Sequence, residues 1–125
     1  MDLEIAEISA VLHDIYVIVK GKYKNHAYLG APIAKKILTD IGGFSIKEIE
    51  IISKAIYHHS EKEIYIDDPY IELVKDADVL DCSLYKGAEG DYKINKSKMI
   101  VKEYINRIKK VRTELGLNLN FIWRN

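Results

Sequence analysis

Six residues of this chain carry imidazole or carboxylate side chains at positions that helical periodicity directs inward or to the end of a helix. Imidazole and carboxylate together suit Zn, Fe, Mn, Ni or Co. A single buried histidine is more often a hydrogen-bonded core residue than a ligand, but all four histidines of the chain share this placement. The set therefore favours a metal site, and it consists of His13, Asp14, His26, His58, His59 and Asp78.

The spacing of apolar residues predicts five helices that would position these side chains. Ser45 with Glu48 is a capping-box pattern that opens the third helix, and Asp68 before Pro69 is typical of the start of the fourth. Residues 17–25 are basic and are predicted to connect the first two helices, and YKGAEGDY is predicted to be a loop. The predicted helices cover about residues 2–16, 26–41, 45–59, 69–84 and 96–115.

These helices would bring the candidate side chains to their ends or inner faces. His13 and Asp14 end the first helix, where neighbouring side chains point about 100° apart and form an open V. An ion in this V would need further ligands from other helices. His26 begins the second helix and the pair His58–His59 ends the third. Asp78 lies on the apolar face of the fourth, and an inward-facing carboxylate needs a partner.

Composition and charge describe an ordinary globular protein of 125 residues, 48% apolar and 30% charged. The net charge is zero, so no general affinity for nucleic acid or for an anionic membrane is expected. The zero conceals an asymmetry, since residues 1–85 carry a net charge of −6 and residues 86–125 one of +6. We interpret the basic part as a solvated helix face, with a strip that faces phosphate or a partner as the alternative.

A single cytoplasmic domain over residues 1–125 is expected. The only cysteine, Cys82, cannot form an internal disulfide, which is typical of a reducing compartment. The opening MDLEIAEISA is acidic and lacks the basic start of a signal peptide, and polar residues interrupt the apolar run that follows, which leaves no membrane span. The tail GLNLNFIWRN would dock through Phe121 and Trp123 on the body or on a neighbouring chain, which leaves a homodimer open.

Several other chemistries lack their motifs. The sequence contains no HExxH, no GxGxxG, no Walker loop and no EF-hand loop, and no Gly-x-Ser-x-Gly elbow. Its tyrosines are scattered, which does not favour a base-stacking surface. A protein-interaction bundle, with the basic helix 96–115 and the tail as its contact surface, is a third class besides a metal-dependent enzyme and a non-catalytic binding or regulatory module. A DNA-binding helix pair has little support from the charge balance.

Four segments of the sequence resemble the HD-domain superfamily of metal-dependent phosphohydrolases. EIAEISAVLHDI is similar to the family's helix that ends in a His-Asp pair, and NHAYLGAPIAKKIL to the next helix, which in many members starts with a metal-linked histidine. AIYHHSEK resembles the His-His step, and LVKDADVLD the helix that carries the last metal-ligand aspartate. The resemblance covers about residues 2–85. It implies an all-α, HD-domain-like helical bundle, which is consistent with the count of about five helices.

The resemblance also implies a ligand set and a reaction. His13, Asp14 and Asp78 would be primary metal ligands, whereas His26 and the pair His58–His59 would bind a second ion or hold the substrate phosphate or the attacking water. The implied activity is hydrolysis of a phosphate ester or anhydride, often in a nucleotide. It would use one or two divalent ions (Mn, Fe, Co, Ni or Zn, with Mg as an alternative), because such an ion lowers the pKa of its bound water and neutralises phosphate charge.

Two catalytic assignments follow from this resemblance. Asp14 would bridge two ions or orient the water as a base. Lys20 and Lys22, with Lys24 beside them, would supply positive charge to the phosphate, and a solvated basic loop is the alternative interpretation of these lysines.

The sequence departs from the family pattern in two places. No histidine precedes His13, whereas HD enzymes usually have a further ligand on an earlier helix. Ile15, Tyr16 and Val17 stand where many members have Ile-Gly-Lys, so Lys20 or Lys22 would replace that lysine. Three explanations remain open: the chain is a fragment, a smaller ligand set suffices, or catalysis is lost and a binding or regulatory module remains.

Overall fold

A computed structural model describes residues 1–124, which contain seven helices and no strand. The all-α class predicted from the sequence is confirmed. The helices are α1 (Leu3–Leu12), α2 (Ile15–Lys20), α3 (His26–Ile41), α4 (Ile46–His58), α5 (Pro69–Ser83), α6 (Ala88–Asn95) and α7 (Lys98–Glu114). Within the described part of the chain, no helix is both long enough and apolar enough to cross a membrane.

The chain divides into two compact units. The first comprises Met1–Glu61 and Ile66–Val74, and the second comprises Lys62–Tyr65 and the chain from Lys75 onward. Helix α5 therefore contributes its first six residues to the first unit and the rest to the second. A single domain over residues 1–125 stays a prediction.

The first unit is built around contacts of α3 and α4, with α1 on α4 and α2 on α3. Two of its three core side chains on α3 are alanines, Ala31 and Ala34, which allows the α3 backbone to approach its neighbours closely. Gly30 on α3 has Tyr16, Ile15 and Ile56 next to the place where a Cβ would lie. The buried apolar core consists of Ile5, Ala31, Ala34, Leu38, Ile52 and Ile56.

The predicted helix starts are confirmed in this unit. Ser45 Oγ accepts from the backbone N–H of Glu48 at 3.1 Å, and the Glu48 carboxylate accepts from the N–H of Ser45 at 3.2 Å. This is the capping box, which satisfies two of the backbone donors left open at a helix start. Asp68 Oδ1 accepts from the N–H groups of Tyr70 and Ile71 and so caps α5.

The predicted extent of the first helix is wrong. Helix α1 ends at Leu12 and α2 begins at Ile15, so that residues 17–20 of the predicted connection over 17–25 are helical. The break has a local cause: Asp14 leaves helical geometry with φ −102° and ψ 20°, and its carbonyl accepts from Val17 and Ile18 as the cap of a new helix. His13 and Asp14 therefore lie at a junction of two helices and not on one continuous helix.

The second unit packs α6, α7 and the last part of α5 around a separate core. The predicted loop YKGAEGDY is partly wrong, because α6 begins at Ala88 after Gly87 takes φ 88°. Gly87 and Gly90 favour a loop, but Tyr92 packs against the apolar core, which stabilises the helix. The predicted docking of the tail is half right: Trp123 is buried in this core, whereas Phe121 is exposed. The buried members of the core are Val79, Ala88, Tyr104, Ile108 and Trp123.

Candidate metal centre

Three ligand atoms from three parts of the first unit form a small triangle. Asp14 Oδ1 lies 3.3 Å from His26 Nε2 and 3.4 Å from His59 Nε2, and the two Nε2 atoms are 3.1 Å apart. Asp14 stands at the junction of α1 and α2, His26 begins α3, and His59 follows the last residue of α4. We call Asp14, His26 and His59 the triad. Its His59 side chain is fully buried.

The far side of each imidazole is fixed by a backbone carbonyl. His26 Nδ1–H donates to the carbonyl of Tyr23 at 2.7 Å, and His59 Nδ1–H donates to that of Ile56 at 2.6 Å. Since a carbonyl can only accept, Nδ1 carries the proton in both rings and Nε2 presents its lone pair to the triad. A hydrogen bond from the ring nitrogen that does not face the ion is the usual way in which proteins orient a histidine that binds a metal.

The backbone before His26 is shaped for this placement. Helix α2 ends at Gly21, which takes φ 67°, and Asn25 takes φ 56° and ψ 25° at the start of α3. Among residues 1–124, Asn25 is the one residue other than glycine with a positive φ. Asparagine tolerates this left-handed conformation better than most residues. The turn over 21–25 thus reverses the chain and brings His26 back to Asp14.

His13 lies beside the triad. Its Nε2 is 3.4 Å from Asp14 Oδ2, and its ring stands edge-on to that of His59 with centroids 4.9 Å apart. Like the two triad histidines, it donates Nδ1–H to the carbonyl three residues earlier, that of Ala10. The structure therefore brings together His13, Asp14, His26 and His59, four of the six residues predicted from the sequence.

The electrostatics of Asp14 follow from these neighbours. Burial raises the pKa of its carboxyl, but the neighbouring side chains of His13, His26 and His59 favour the charged form, and the balance holds the pKa far below its usual value. The group is therefore a carboxylate throughout the neutral range. A carboxylate that faces imidazole nitrogens offers the mixed oxygen and nitrogen donors that divalent transition metals accept.

The triad fits a divalent ion by the spacing of its donor atoms. Ligands bound at about 2.0–2.2 Å in tetrahedral or octahedral geometry lie about 2.9–3.5 Å from one another. The three observed distances of 3.1, 3.3 and 3.4 Å fall inside that range. In addition, two Nε2 lone pairs 3.1 Å apart repel each other unless a cation, a proton or a metal ion, lies among them.

His58 has a different environment from His59. Its Nδ1–H donates to Glu61 Oε2 at 2.7 Å, and Glu61 also accepts from the hydroxyl of Tyr28 at 3.1 Å. The ring of Tyr57 stands against the His58 ring, with centroids 4.9 Å apart. His58 therefore belongs to a partly exposed histidine–carboxylate pair, and its role as a ligand stays a prediction.

The other predicted site residues are placed as follows. Lys20 ends α2 and Lys22 follows Gly21, both with exposed side chains. Asp78 lies in the second unit on α5, where its Oδ2 accepts from Lys62 Nζ at 2.6 Å and its Oδ1 from the thiol of Cys82 at 3.5 Å. The catalytic roles of the lysines and the ligand role of Asp78 stay predictions.

Sequence reasoning missed several residues around these groups. Lys62, the cation on Asp78, is one of them, and Glu61, the acceptor for His58, is another. Ser60, whose Oγ lies 3.5 Å from His26 Nε2, is a third. Glu61 stands three residues after His58, a helical spacing that would have suggested the pair. Lys62 and Asp78 are 16 residues apart, and no local pattern connects them.

Comparison with known proteins identifies the family of this chain. The family model described as HD domain matches residues 1–82, about two thirds of the chain. The chain therefore belongs to the HD domain family, and the resemblance seen in the sequence is confirmed. HD domains are helical, bind divalent metals and define a superfamily of metal-dependent phosphohydrolases. Neither the curated proteins nor the solved structures provide a match to this chain.

Proposed function

We propose that this chain is a metal-dependent phosphohydrolase that cleaves a phosphate ester or anhydride of a nucleotide or of a small phosphorylated metabolite. The triad supports this most directly, because its donor atoms stand 3.1–3.4 Å apart in a chain of the HD domain family. A divalent ion (Mn, Fe, Co, Ni or Zn) would supply positive charge against the phosphate and a water ligand with a pKa near 7.

The residues of the chain would hold that ion and position the substrate. The triad would bind through Asp14 Oδ1 and the two Nε2 atoms, whose directions the carbonyls behind His26 and His59 fix. Lys20 and Lys22 carry exposed ammonium groups that would contact phosphate oxygens as mobile point charges. His58 would hold the phosphate or the attacking water through Nε2, because Glu61 accepts from its Nδ1–H and fixes the orientation of the ring.

Metal analysis of the purified protein tests the centre. We expect one or two transition-metal ions per chain, and we expect Asp14→Asn and His59→Ala to weaken metal binding at least about 100-fold. Asp40→Asn is the matched control, since it makes the same chemical change at an exposed carboxylate paired with Lys36. Undiminished metal content in both triad variants would show that the ion is bound elsewhere or not specifically.

A panel of phosphate compounds tests the reaction. Nucleoside monophosphates, p-nitrophenyl phosphate and sugar phosphates are incubated with the protein and Mn, Co, Ni or Mg, and released phosphate is measured. Turnover with one metal that disappears in Asp14→Asn supports the phosphohydrolase. A protein that binds metal and gains thermal stability with a nucleotide, yet releases no phosphate with any metal, would be a binding or regulatory module instead.

A further inference from the structure

The second unit contains a cavity of about 340 Å³ that the metal centre does not use. It lies along the end of α6 and the first turns of α7, beyond residue 82, where the match to the HD domain ends. We call this cavity the lysine pocket. Its lining residues are Lys93, Lys96, Lys98, Val101, Lys102 and Ile105.

The wall of the lysine pocket is mainly apolar although four of its six lining residues are lysines. The methylene stems of the lysines, together with Val101 and Ile105, therefore form the wall, and the ammonium groups stand at the edge where water reaches them. Val101 and Ile105 are four residues apart on α7 and so lie on one face of the helix. A ligand that fits would have an apolar or flat body and negatively charged ends.

The positive charge of the lysine pocket is only partly balanced. Lys93 pairs with Glu89 at 3.0 Å, and Lys96 stands over the rings of Tyr92 and Tyr104. Lys98 and Lys102, four residues apart on α7, have no ion-pair partner among residues 1–124. Like charges at this spacing destabilise a helix, so an anion bound across the two lysines would relieve a repulsion.

We propose that the lysine pocket binds a small organic polyphosphate, such as a nucleoside triphosphate. The apolar wall would contact the flat body, and Lys98 and Lys102 would contact the phosphates. The volume of about 340 Å³ lies in the range of small-molecule sites. A long nucleic acid is disfavoured, because residues 1–85 carry a net charge of −6 that would repel an extended polyanion. This site does not depend on the proposed phosphohydrolase activity.

Calorimetry with ATP in EDTA tests the lysine pocket with the full chain. EDTA removes divalent ions, so binding at the triad does not contribute. We expect one ATP per chain, weaker binding of inorganic tripolyphosphate and of adenosine, and weaker binding as salt rises. The double variant Lys98→Ala, Lys102→Ala is expected to raise the Kd at least about tenfold, because a hydrogen bond to a charged group contributes about that factor.

The matched control is Lys47→Ala with Lys54→Ala, which removes the same charge from the exposed face of α4. This control should leave the Kd for ATP within about twofold of the original value. Ile105→Ala, in contrast, should weaken the binding of ATP but not that of tripolyphosphate. An equal loss in the control pair would overturn the proposal, and so would a single-stranded oligonucleotide that binds more tightly than ATP through the same lysines. ATP should also protect Lys98 and Lys102 of the unaltered chain against chemical acetylation. This measurement needs no variant, so it does not depend on whether a variant folds.

Discussion

Arg107 offers the sharpest test of how the second unit is held together. Its buried guanidinium donates from Nε to the carbonyl of Lys62 at 3.1 Å, from Nη2 to that of Ile64 at 3.2 Å, and from Nη1 to Asp76 at 2.8 Å. Lys110 also donates to Asp76, at 2.9 Å, but its side chain is half exposed. Arg107→Ala and Lys110→Ala therefore each remove one cation from the carboxylate of Asp76. The first cation is buried and the second is half exposed.

The expected cost of Arg107→Ala follows from what each acceptor retains. The carbonyl of Ile64 keeps the donor Lys75 Nζ at 3.0 Å, and Asp76 keeps Lys110. The carbonyl of Lys62 loses this donor, which costs about 1–3 kcal/mol when the group stays buried. Loss of the buried charge pair and of the packed stem adds to this, although less than the ~3–5 kcal/mol of a fully broken pair. We expect Arg107→Ala to lower the free energy of unfolding by about 3 kcal/mol in total, and Lys110→Ala to lower it by less than about 1 kcal/mol.

Urea unfolding followed by tryptophan fluorescence measures this difference. Trp123 is the only tryptophan of the chain and is buried in the core of the second unit, so its emission reports on that unit. With slopes of about 1–3 kcal/mol per molar urea, a loss of about 3 kcal/mol lowers the midpoint by about 1–3 M. Arg107→Lys should fall between the two alanine variants, because one ammonium cannot replace three fixed donors. Equal midpoints for Arg107→Ala and Lys110→Ala would refute the argument.

Three further predictions concern single positions. Gly30→Ala should raise the free energy of unfolding by up to about 1 kcal/mol, because the atoms nearest to a Cβ there lie at 3.5–3.6 Å in ordinary contact, and a lowered melting temperature would contradict this. Burial, with Asp78 nearby, raises the pKa of the Cys82 thiol from 9.0 to about 11, so at pH 8 it should react with a disulfide reagent about a hundredfold more slowly in the folded chain than in urea. Because the thiol pKa is higher in the folded state, this group contributes stability below about pH 9 that is lost as pH rises toward about 11, and melting temperatures that stay level over that window would speak against the shift. Asn25→Gly should be tolerated whereas Asn25→Val should cost about 1–2 kcal/mol, since φ is 56° there, and equal melting temperatures of the two variants would show that the turn adapts.

The helices that the sequence predicts well are those with a clear period and clear ends. Helix α3 stops before Gly42, and α4 begins at the capping box of Ser45 and Glu48. The break at His13 and Asp14 was not predictable in the same way, because neither glycine nor proline marks it and the apolar residues continue into α2. Helix α6 was missed because local glycines outweighed a packing contribution that depends on distant residues.

The candidate site was predictable in its residue types but not in its geometry. The sequence singled out His13, Asp14, His26 and His59, which the structure brings together. The orientation of the three imidazoles depends on carbonyls three residues earlier in the chain, and every residue type has a carbonyl. Composition therefore carries no signal for the feature that aims the ring nitrogens.

The division of the chain into two units has a consequence for how it can be shortened. The path passes from one unit to the other after Glu61, after Tyr65 and after Val74, so no single cut separates them. A truncation at residue 82, where the family match ends, would keep the segment Lys62–Tyr65 but remove Arg107, whose guanidinium holds the carbonyls of that segment. The smallest stretch that preserves this anchorage extends through α7, well past the boundary that family membership alone would suggest.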